Sequence, residues 1–549
     1  SFFCLMFSFF FLLHRFGSLL LPLVVTALST RRCVHLYGAT PGLQLTEDDL
    51  DVLRVLTCRF NLHPEPLPAG PSECTEVVRL GLRVDDAAAA REAASGEAAG
   101  LLDGLVTPYV LYILNPAVIE PADVLVHRKR MGTPVTTPMA EAMLQQLAGV
   151  ALTANQARAS AEAVAQFHAH LQTMTGTPVD VEAPPVVCTA GLPTICALWM
   201  TLMTGYGGAD VLMCSTAYGG SSQLTDILHA HRAGLLVKHT FDIQGPSRSI
   251  GPSIRAALDQ LEHRDAATRK PILVLFVELP TNPDMKVPDL TEIAAMALGY
   301  EQRTGQKVLL LVDVTFAPAS GILGKLRAVA PALDAMAFIS MSKSVSRGLT
   351  TAGALVANHT SHTRHMIQRV ARVAKLLDTT AKPDQMDILC NNHTGVEERC
   401  AAAYRNAADI GSALRAAVAK FADGYDMPLA FVTPEQAAAG LTTSTFSFNL
   451  PSPRGADDAT RAALAQRFVD LLTTHTEFKP CVSFGQDNGL VYATVPATST
   501  QGAIKEEDKA KQAIGGVQLV RLSFPPTCDP AAISTIIEHA VQEIYSAAA

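Results

Sequence analysis

Between residues 186 and 339 the chain alternates short apolar runs with segments of helical length. The runs are apolar at every position rather than at every second one, which is typical of strands that are covered on both faces. The pattern predicts strands at 211–214, 235–237, 272–277, 308–312 and 336–339. Strands that alternate with helices in this way predict an α/β fold with a large, mostly parallel sheet.

The apolar spacing changes after residue 360. It predicts helices over 363–377 and 397–421, with a less ordered connection at Lys382-Pro383-Asp384 between them. Beyond residue 425, strand-like and helix-like stretches follow one another at 444–450, 459–473, 517–523 and 530–545. We interpret them as a second, smaller α/β domain that occupies residues 425–549.

In the segment 1–33, the first 28 residues are almost wholly apolar, interrupted by His14 and Arg15, and Ser29-Thr30-Arg31-Arg32 follow them. A signal peptide would have a basic start and one moderate apolar core, and a membrane helix would not hold this pair at its middle. We expect an unusual leader or anchor, a translated upstream extension, or the remainder of a truncated leader, and we expect no other membrane association. Residues 34–74 receive no assignment.

Composition narrows the classes of function. The 549 residues carry a net charge of -8 without basic clusters, which gives no electrostatic basis for binding nucleic acid. Eleven cysteines show no C-x-x-C pair, and the histidines form no set with cysteines or carboxylates. The sequence therefore predicts neither a metal site nor a disulfide framework. We expect a reducing compartment, namely the cytoplasm, or an organelle if the leader is a targeting segment.

Polar residues at the ends of predicted strands provide the candidate chemistry. Asp313 follows the strand at 308–312, and Lys343 lies just beyond the strand at 336–339, between Ser342 and Ser344. In parallel sheets, ligands bind beyond the carboxyl ends of the strands. A lysine in such a place, next to hydroxyl groups, suits a Schiff base with pyridoxal phosphate.

The other parts of such a site have candidates as well. Gly191 and Leu192 begin a predicted helix, where backbone amides would face a phosphate. Tyr218 precedes two glycines and could cover the cofactor ring, while Asp313 could keep the ring nitrogen protonated. Arg521, in a C-terminal strand, could bind the carboxylate of an amino acid.

Six motifs in order resemble the pyridoxal-phosphate enzymes of cysteine and methionine metabolism, the trans-sulfuration family that includes cystathionine γ-synthase and γ-lyase. The resemblance extends from about residue 75 to residue 544. Its motifs are Tyr218-Gly219-Gly220, Glu278-Leu279-Pro280-Thr281-Asn282-Pro283, Asp313-Val314-Thr315-Phe316, Ser340-Met341-Ser342-Lys343, Cys481-Val482-Ser483-Phe484-Gly485 and Val520-Arg521-Leu522-Ser523. Together they are far more specific than any one of them.

The resemblance implies a fold-type I transferase with its large cofactor domain at 181–424. It implies that Lys343 holds the cofactor and transfers protons, that Tyr218 stacks on the ring, and that Asp313 pairs with the ring nitrogen. It further implies a set of binding residues: Gly191, Leu192, Ser340 and Ser342 for the phosphate, Asn282 and Thr315 for the rest of the cofactor, and Arg521 with Ser483 for the substrate carboxylate.

The family also implies a homotetramer, a dimer of dimers, in which residues 75–180 contribute to a neighbouring active site and Arg130 reaches the cofactor phosphate there. Arg128 stands where the family has a tyrosine, and Gln501 where it has a histidine. The expected reaction is elimination or replacement at the β- or γ-carbon of cystathionine, methionine, cysteine or an O-acylhomoserine, as in methionine biosynthesis. Because of these departures, an aminotransferase-like reaction and a catalytically silent paralogue remain as alternatives.

Overall fold

A computed structural model describes residues 34–37, 74–80, 109–114, 159–231, 234–242, 250–283, 285–377, 379–421, 427, 429–452, 456–495 and 519–546. The chain divides into two compact units, residues 1–155 and 156–549. In the first unit, β1 (Val34–Tyr37), β2 (Cys74–Leu80) and β3 (Tyr109–Leu114) form an antiparallel sheet with β3 in the middle. The apolar segment at 1–33, Arg128, Arg130 and Gln501 lie outside the described residues. The predicted domain boundaries remain a prediction.

A seven-stranded sheet is the centre of the second unit. Its strands are β4 (Val186–Cys188), β5 (Ala209–Cys214), β6 (Leu236–Phe241), β7 (Ile272–Glu278), β8 (Lys307–Asp313), β9 (Asp334–Ser340) and β10 (Gly353–Ala357), in the order β4-β10-β9-β8-β7-β5-β6. Strands β5 to β9 are parallel to one another, whereas β10 is antiparallel to both β4 and β9. The predicted α/β fold with a large, mostly parallel sheet is confirmed.

The first helix of this unit precedes the sheet in the sequence, and the next six each follow one of its strands. They are α1 (Ala161–Met174), α2 (Gly191–Gly205), α3 (Gly219–His231), α4 (Gly251–Glu262), α5 (Leu290–Thr304), α6 (Ile322–Val329) and α7 (Ser361–Leu376). Local sequence explains their limits, as α5 illustrates. The Asp289 carboxylate accepts the N–H groups of Thr291 and Glu292 at its start, and Gly305 closes it in the left-handed conformation at a φ of 71°.

Two helices, α8 (Pro383–Asn392) and α9 (Val396–Ala419), lead to the C-terminal part of the chain. The prediction of a less ordered connection at Lys382-Pro383-Asp384 is wrong, because Pro383 is the first residue of α8. A proline is tolerated there, since the first N–H of a helix has no intrahelical partner. The side chain of Gln385 accepts the N–H of Lys382 at 3.0 Å and caps the helix.

The C-terminal part has its own four-stranded sheet. It contains α10 (Pro434–Ala438), β11 (Thr445–Phe448), α11 (Asp458–Leu472), β12 (Phe478–Pro480), β13 (Val491–Thr494), β14 (Val520–Ser523) and α12 (Pro530–Ser546), with strand order β11-β14-β13-β12. Phe446, Phe448 and Phe468 are fully buried between this sheet and its helices. This core places β14, and with it Arg521, beside the large sheet.

Within the described part of the chain, no helix combines the length and the apolar character that a bilayer crossing requires.

Candidate active site

Three neighbouring parallel strands place their last residues at one edge of the large sheet. Glu278 of β7 is in register with Asp313 of β8, and Asp313 is in register with Phe338 of β9. Residues 341–350, which carry Lys343 and are called the lysine turn below, follow directly after β9. Apolar strands covered by helices on both faces hold these polar residues at the edge, where a ligand can reach them.

Lys343 donates a hydrogen bond from Nζ to the Ser483 hydroxyl at 2.8 Å. Ser483 Oγ also accepts from Nε2 of Gln486 at 2.7 Å. The Lys343 amine lies 5.5 Å from the ring centre of Phe484. Burial, helped by the nearby Arg521 cation, lowers the pKa of Lys343 to about 8. A fraction of this amine is therefore unprotonated near neutral pH, as a nucleophilic lysine requires.

Asp313 is buried at the end of β8. Its Oδ1 accepts the backbone N–H of Thr315 at 2.9 Å, and the Thr315 hydroxyl in turn accepts the N–H of Ser340 at 2.9 Å. Burial raises the pKa of Asp313 to about 6, although the hydrogen bonds from Thr315 act in the opposite direction. A buried carboxylate of this kind is costly unless a cation or a hydrogen-bond donor faces it.

Arg521 is also buried, and it bridges the two sheets. Its Nη1 donates to the side-chain oxygen of Asn282 at 2.8 Å, and its Nη2 donates to the carbonyl of Val482 at 3.0 Å. Burial lowers the pKa of Arg521 to about 10, so the guanidinium is charged at neutral pH. A charged guanidinium held by two fixed acceptors is suited to an anionic ligand.

Glu278 ends the predicted strand at 272–277 as Asp313 ends its own, but the sequence indicates no role for it. Its carboxylate connects two predicted site residues. Oε1 accepts the backbone N–H of Tyr218 at 2.7 Å, and Oε2 accepts that of Asn282 at 3.0 Å. The available signal was the one that identified Asp313, a carboxylate at the end of a wholly apolar strand.

The start of α2 lies against the end of β9. A Cβ atom placed on Gly191 would lie 3.0 Å from Cζ of Phe338 and 3.4 Å from Cβ of Ser340. The N-cap residue of this helix is Ala190, whose side chain accepts no hydrogen bond from the first N–H groups. The glycine therefore lets a helix N-terminus approach the Ser340 hydroxyl closely, which is an arrangement suited to an anion.

Two more predicted residues meet at the start of α3. A Cβ on Gly220 would lie 2.5 Å from Cε1 of Tyr218 and 3.1 Å from Cδ1 of Leu192, so Leu192 and Tyr218 both border this glycine. The Ser342 hydroxyl accepts the Ala352 N–H at 3.1 Å, so the start of the turn that carries Lys343 is fastened to the residue before β10.

The loop of residues 481–487 packs on the lysine turn, which sequence reasoning did not foresee. Arg347 of the turn forms an ion pair of 2.7 Å with Asp487. Gly485, at a φ of 74°, comes so close that a Cβ there would lie 2.5 Å from the Ser344 nitrogen. The ring of Phe484 stacks on Phe316 with 4.3 Å between centroids.

The structure thus brings most of the predicted site residues to one edge of the sheet, whereas Arg130 lies outside the described residues. The residues that it brings there are Gly191, Leu192, Tyr218, Asn282, Asp313, Thr315, Ser340, Ser342, Lys343, Ser483 and Arg521. In the described ranges, no three or more histidine, cysteine, aspartate or glutamate side chains are grouped as metal ligands would be.

Comparison with solved structures identifies the fold. Cystathionine γ-synthase from Xanthomonas oryzae pv. oryzae, in complex with cystathionine, is 20% identical over 72% of this chain and 90% of its own, with a TM-score of 0.52. Cystathionine γ-lyase from Lactobacillus plantarum, complexed with L-serine, is 18% identical over 72% of this chain and 91% of its own, with a TM-score of 0.52. A γ-lyase from Micromonospora echinospora is 19% identical over 76% and 97% of the two chains, with a TM-score of 0.51. No family model and no curated protein sequence matches the chain.

The fold is therefore that of the fold-type I pyridoxal-phosphate enzymes. The resemblance deduced from the motifs is confirmed at the level of the fold, which is shared with cystathionine γ-synthase and γ-lyase.

Proposed function

We propose that the chain is a pyridoxal-phosphate enzyme that acts on sulfur-containing amino acids or acylated homoserine. The observation that carries this proposal is the environment of Lys343. It combines a lowered amine pKa of about 8, a position beyond a central strand, and a hydrogen bond to Ser483. Asp313 lies at the end of the next strand, so the lysine and the acid belong to one edge.

The residues at the site fit the cofactor. Gly191 and Leu192 at the start of α2 would hold its phosphate together with Ser340 and Ser342, because N–H groups and hydroxyls are the donors that phosphate accepts. The raised pKa of Asp313, about 6, leaves a buried carboxylate that a ring N–H would satisfy. Tyr218 would cover one ring face, with Asn282 and Thr315 beside the ring.

When bound, pyridoxal phosphate would act as an electron sink for charge at the α-carbon of an amino acid. Lys343 would hold and release a proton at Nζ, since its pKa lies near neutrality. Arg521 would bind the α-carboxylate of the substrate, and Ser483 would contribute a hydroxyl. Arg521 donates to Asn282 Oδ1 and to the carbonyl of Val482, and these two hydrogen bonds keep the guanidinium in place for that task.

The proposed reaction is elimination or replacement at the β- or γ-carbon, as a lyase or a transferase. The motifs of this chain and the shared fold support this class. The substrate is proposed to be cystathionine, methionine, cysteine or an O-acylhomoserine. We propose further that the enzyme is a cytoplasmic homotetramer in which Arg130 reaches the phosphate of a neighbouring subunit.

Absorption spectroscopy tests the cofactor. Protein purified with pyridoxal phosphate should absorb visible light, and borohydride should fix the cofactor onto the peptide that contains Lys343. Lys343→Ala is the control, and it should lose this label. Wild-type protein that stays colourless after reconstitution would refute the proposal.

A substrate panel separates the alternatives. Elimination releases a keto acid together with ammonia, whereas replacement joins a thiol to the amino-acid fragment. A keto acid without ammonia would indicate transamination, and cofactor binding without turnover of any substrate would indicate a silent paralogue. Sedimentation of the purified chain would test the tetramer.

A further inference from the structure

The carboxylate of Glu278 is buried at the end of β7, with 6% of the residue exposed. Each of its two oxygens accepts a backbone N–H, that of Tyr218 at 2.7 Å and that of Asn282 at 3.0 Å. Hydrogen bonds to an ionised carboxylate are stronger than neutral ones, and they compensate the burial of the charge. Glu278 thus fixes the main chain at two separate points of the site.

These two points belong to different parts of the proposed chemistry. Tyr218 is the residue proposed to cover the cofactor ring. Asn282 accepts the hydrogen bond from Arg521 at 2.8 Å, and Arg521 is the residue proposed to bind the substrate carboxylate. A continuous series of hydrogen bonds therefore runs from Tyr218 through Glu278 and Asn282 to Arg521.

Glu278 and Asp313 are in register on adjacent strands, but their surroundings differ. Asp313 accepts from the backbone N–H of Thr315, within its own strand-to-helix connection. Glu278 accepts from Asn282 in its own strand-to-helix connection and also from Tyr218, which lies 60 residues away in another connection. Of the two carboxylates, Glu278 is thus the one whose hydrogen bonds join separate segments of the site.

We propose that Glu278 is a positioning residue that holds the ring of Tyr218 and the Asn282–Arg521 pair in a fixed relation, so that cofactor affinity and amino-acid affinity depend on one carboxylate. This inference rests on the proposed function. It assigns to Glu278 no contact with cofactor or substrate.

Glu278→Gln tests the proposal, because it keeps the shape of the side chain but replaces one acceptor by an amide donor. That donor would face a backbone N–H of Tyr218 or Asn282. The dissociation constant for pyridoxal phosphate, measured by absorption, should rise by about 10-fold. The visible circular dichroism of the bound cofactor should weaken, and KM for the amino acid should rise by about 10-fold while kcat falls less.

Two further variants show whether the effect of Glu278→Gln is due to the loss of this particular carboxylate. Glu278→Asp retains the charge and should recover part of both affinities. Glu301→Gln is the matched control, since Glu301 Oε2 accepts the N–H of Val308 at 3.0 Å, at the opposite end of β8 from Asp313. The control should leave both constants within about two-fold of wild type. Glu278→Gln that behaves like this control would overturn the proposal.

Hydrogen exchange on the wild-type apoprotein keeps the proposal testable if Glu278→Gln does not fold. The amides of Tyr218 and Asn282 should exchange slowly, and exchange as fast as in an open loop would overturn the inference. Failure of the wild type to bind pyridoxal phosphate would count against the proposed function instead, because the exchange measurement needs no cofactor.

Discussion

Arg347 and Asp487 form an ion pair of 2.7 Å that joins the lysine turn to the loop carrying Ser483. Arg347 also donates from Nε to Asp487 at 2.9 Å, so the contact is made by two nitrogens of the guanidinium. Only 11% of the Asp487 side chain is exposed, compared with 41% for Arg347. The loop from the small sheet is therefore held to the main chain at Arg347, four residues after Lys343.

Asp487→Asn should loosen this loop without unfolding the protein. We expect KM for the amino acid to rise by about 3- to 10-fold, because Ser483 and the Val482 carbonyl that holds Arg521 both lie on the loop. The loss in stability should be only about 1 kcal/mol, since Arg347 is partly solvated. Steady-state kinetics and thermal melts measure the two effects. Asp458→Asn, which breaks an exposed pair with Arg461, is the control and should change neither.

The rate at which the apoprotein takes up pyridoxal phosphate should depend on the protonation of Lys343. Only the neutral amine reacts, and the pKa of Lys343 is lowered to about 8. The rate should rise with pH through about 8 and level off above it, well below the ordinary lysine value of 10.5. Stopped-flow absorption measures the profile. A rate that continues to rise up to pH 10 would contradict the lowered pKa.

Asp313→Asn should stabilise the apoprotein while disabling the enzyme. The pKa of Asp313 is raised from 3.8 to about 6, so the folded state disfavours the charge, and this cost is fully present above pH 6 and absent below 3.8. We expect a gain of about 1 to 3 kcal/mol at pH 7, which disappears toward pH 4. Urea denaturation at both pH values measures it. A variant less stable than wild type at pH 7 would contradict the expectation.

The same Asp313→Asn variant should still bind pyridoxal phosphate, since the phosphate-binding residues and Lys343 are unchanged. Its turnover should fall by about 100-fold or more, because a neutral amide does not keep the ring nitrogen protonated. Absorption and kcat are measured on the same preparation. Turnover near the wild-type value would remove Asp313 from the proposed role.

Arg521→Lys should separate substrate binding from cofactor binding. A lysine cannot donate to Asn282 and Val482 and also present two N–H groups to a carboxylate. We expect KM to rise by about 100-fold with little change in the absorption of bound cofactor. Arg461→Lys on the exposed face of α11 is the control. A loss of the cofactor from Arg521→Lys would instead show that the arginine supports the cofactor itself.

Much of the large sheet could be predicted because its strands are apolar throughout. This pattern located β5, β7, β8 and β9 and their polar ends, including Asp313 and Lys343. Strand β10 was not predicted. It is only five residues long, with a glycine and two alanines, and its burial depends on pairing with β4 and β9.

Local sequence patterns did not predict the contacts between the sheets, although the family resemblance placed Lys343, Ser483 and Arg521 in one site. Arg347 and Asp487 are 140 residues apart, as are Lys343 and Ser483, and no local pattern indicates that they meet. Strand β12 ends in a proline and has two exposed residues, so its composition is not that of a strand. The packing of the core of the small sheet places β12 and the loop of residues 481–487, and the local sequence of these segments does not indicate that placement.

The antiparallel strand β10 has a consequence for the lysine. The segments that follow β4, β5, β7 and β8 lead into helices, but the segment with Lys343 leads from β9 into its direct neighbour β10. Gly353 pairs with Ser340, and Ser342 donates its N–H to the Ala352 carbonyl at 3.2 Å, so both ends of the segment are fastened to the sheet. Lys343 thus lies at the fastened base of this connection, next to the Ser342–Ala352 hydrogen bond. The movement of its amine therefore depends on the four methylene groups of the side chain.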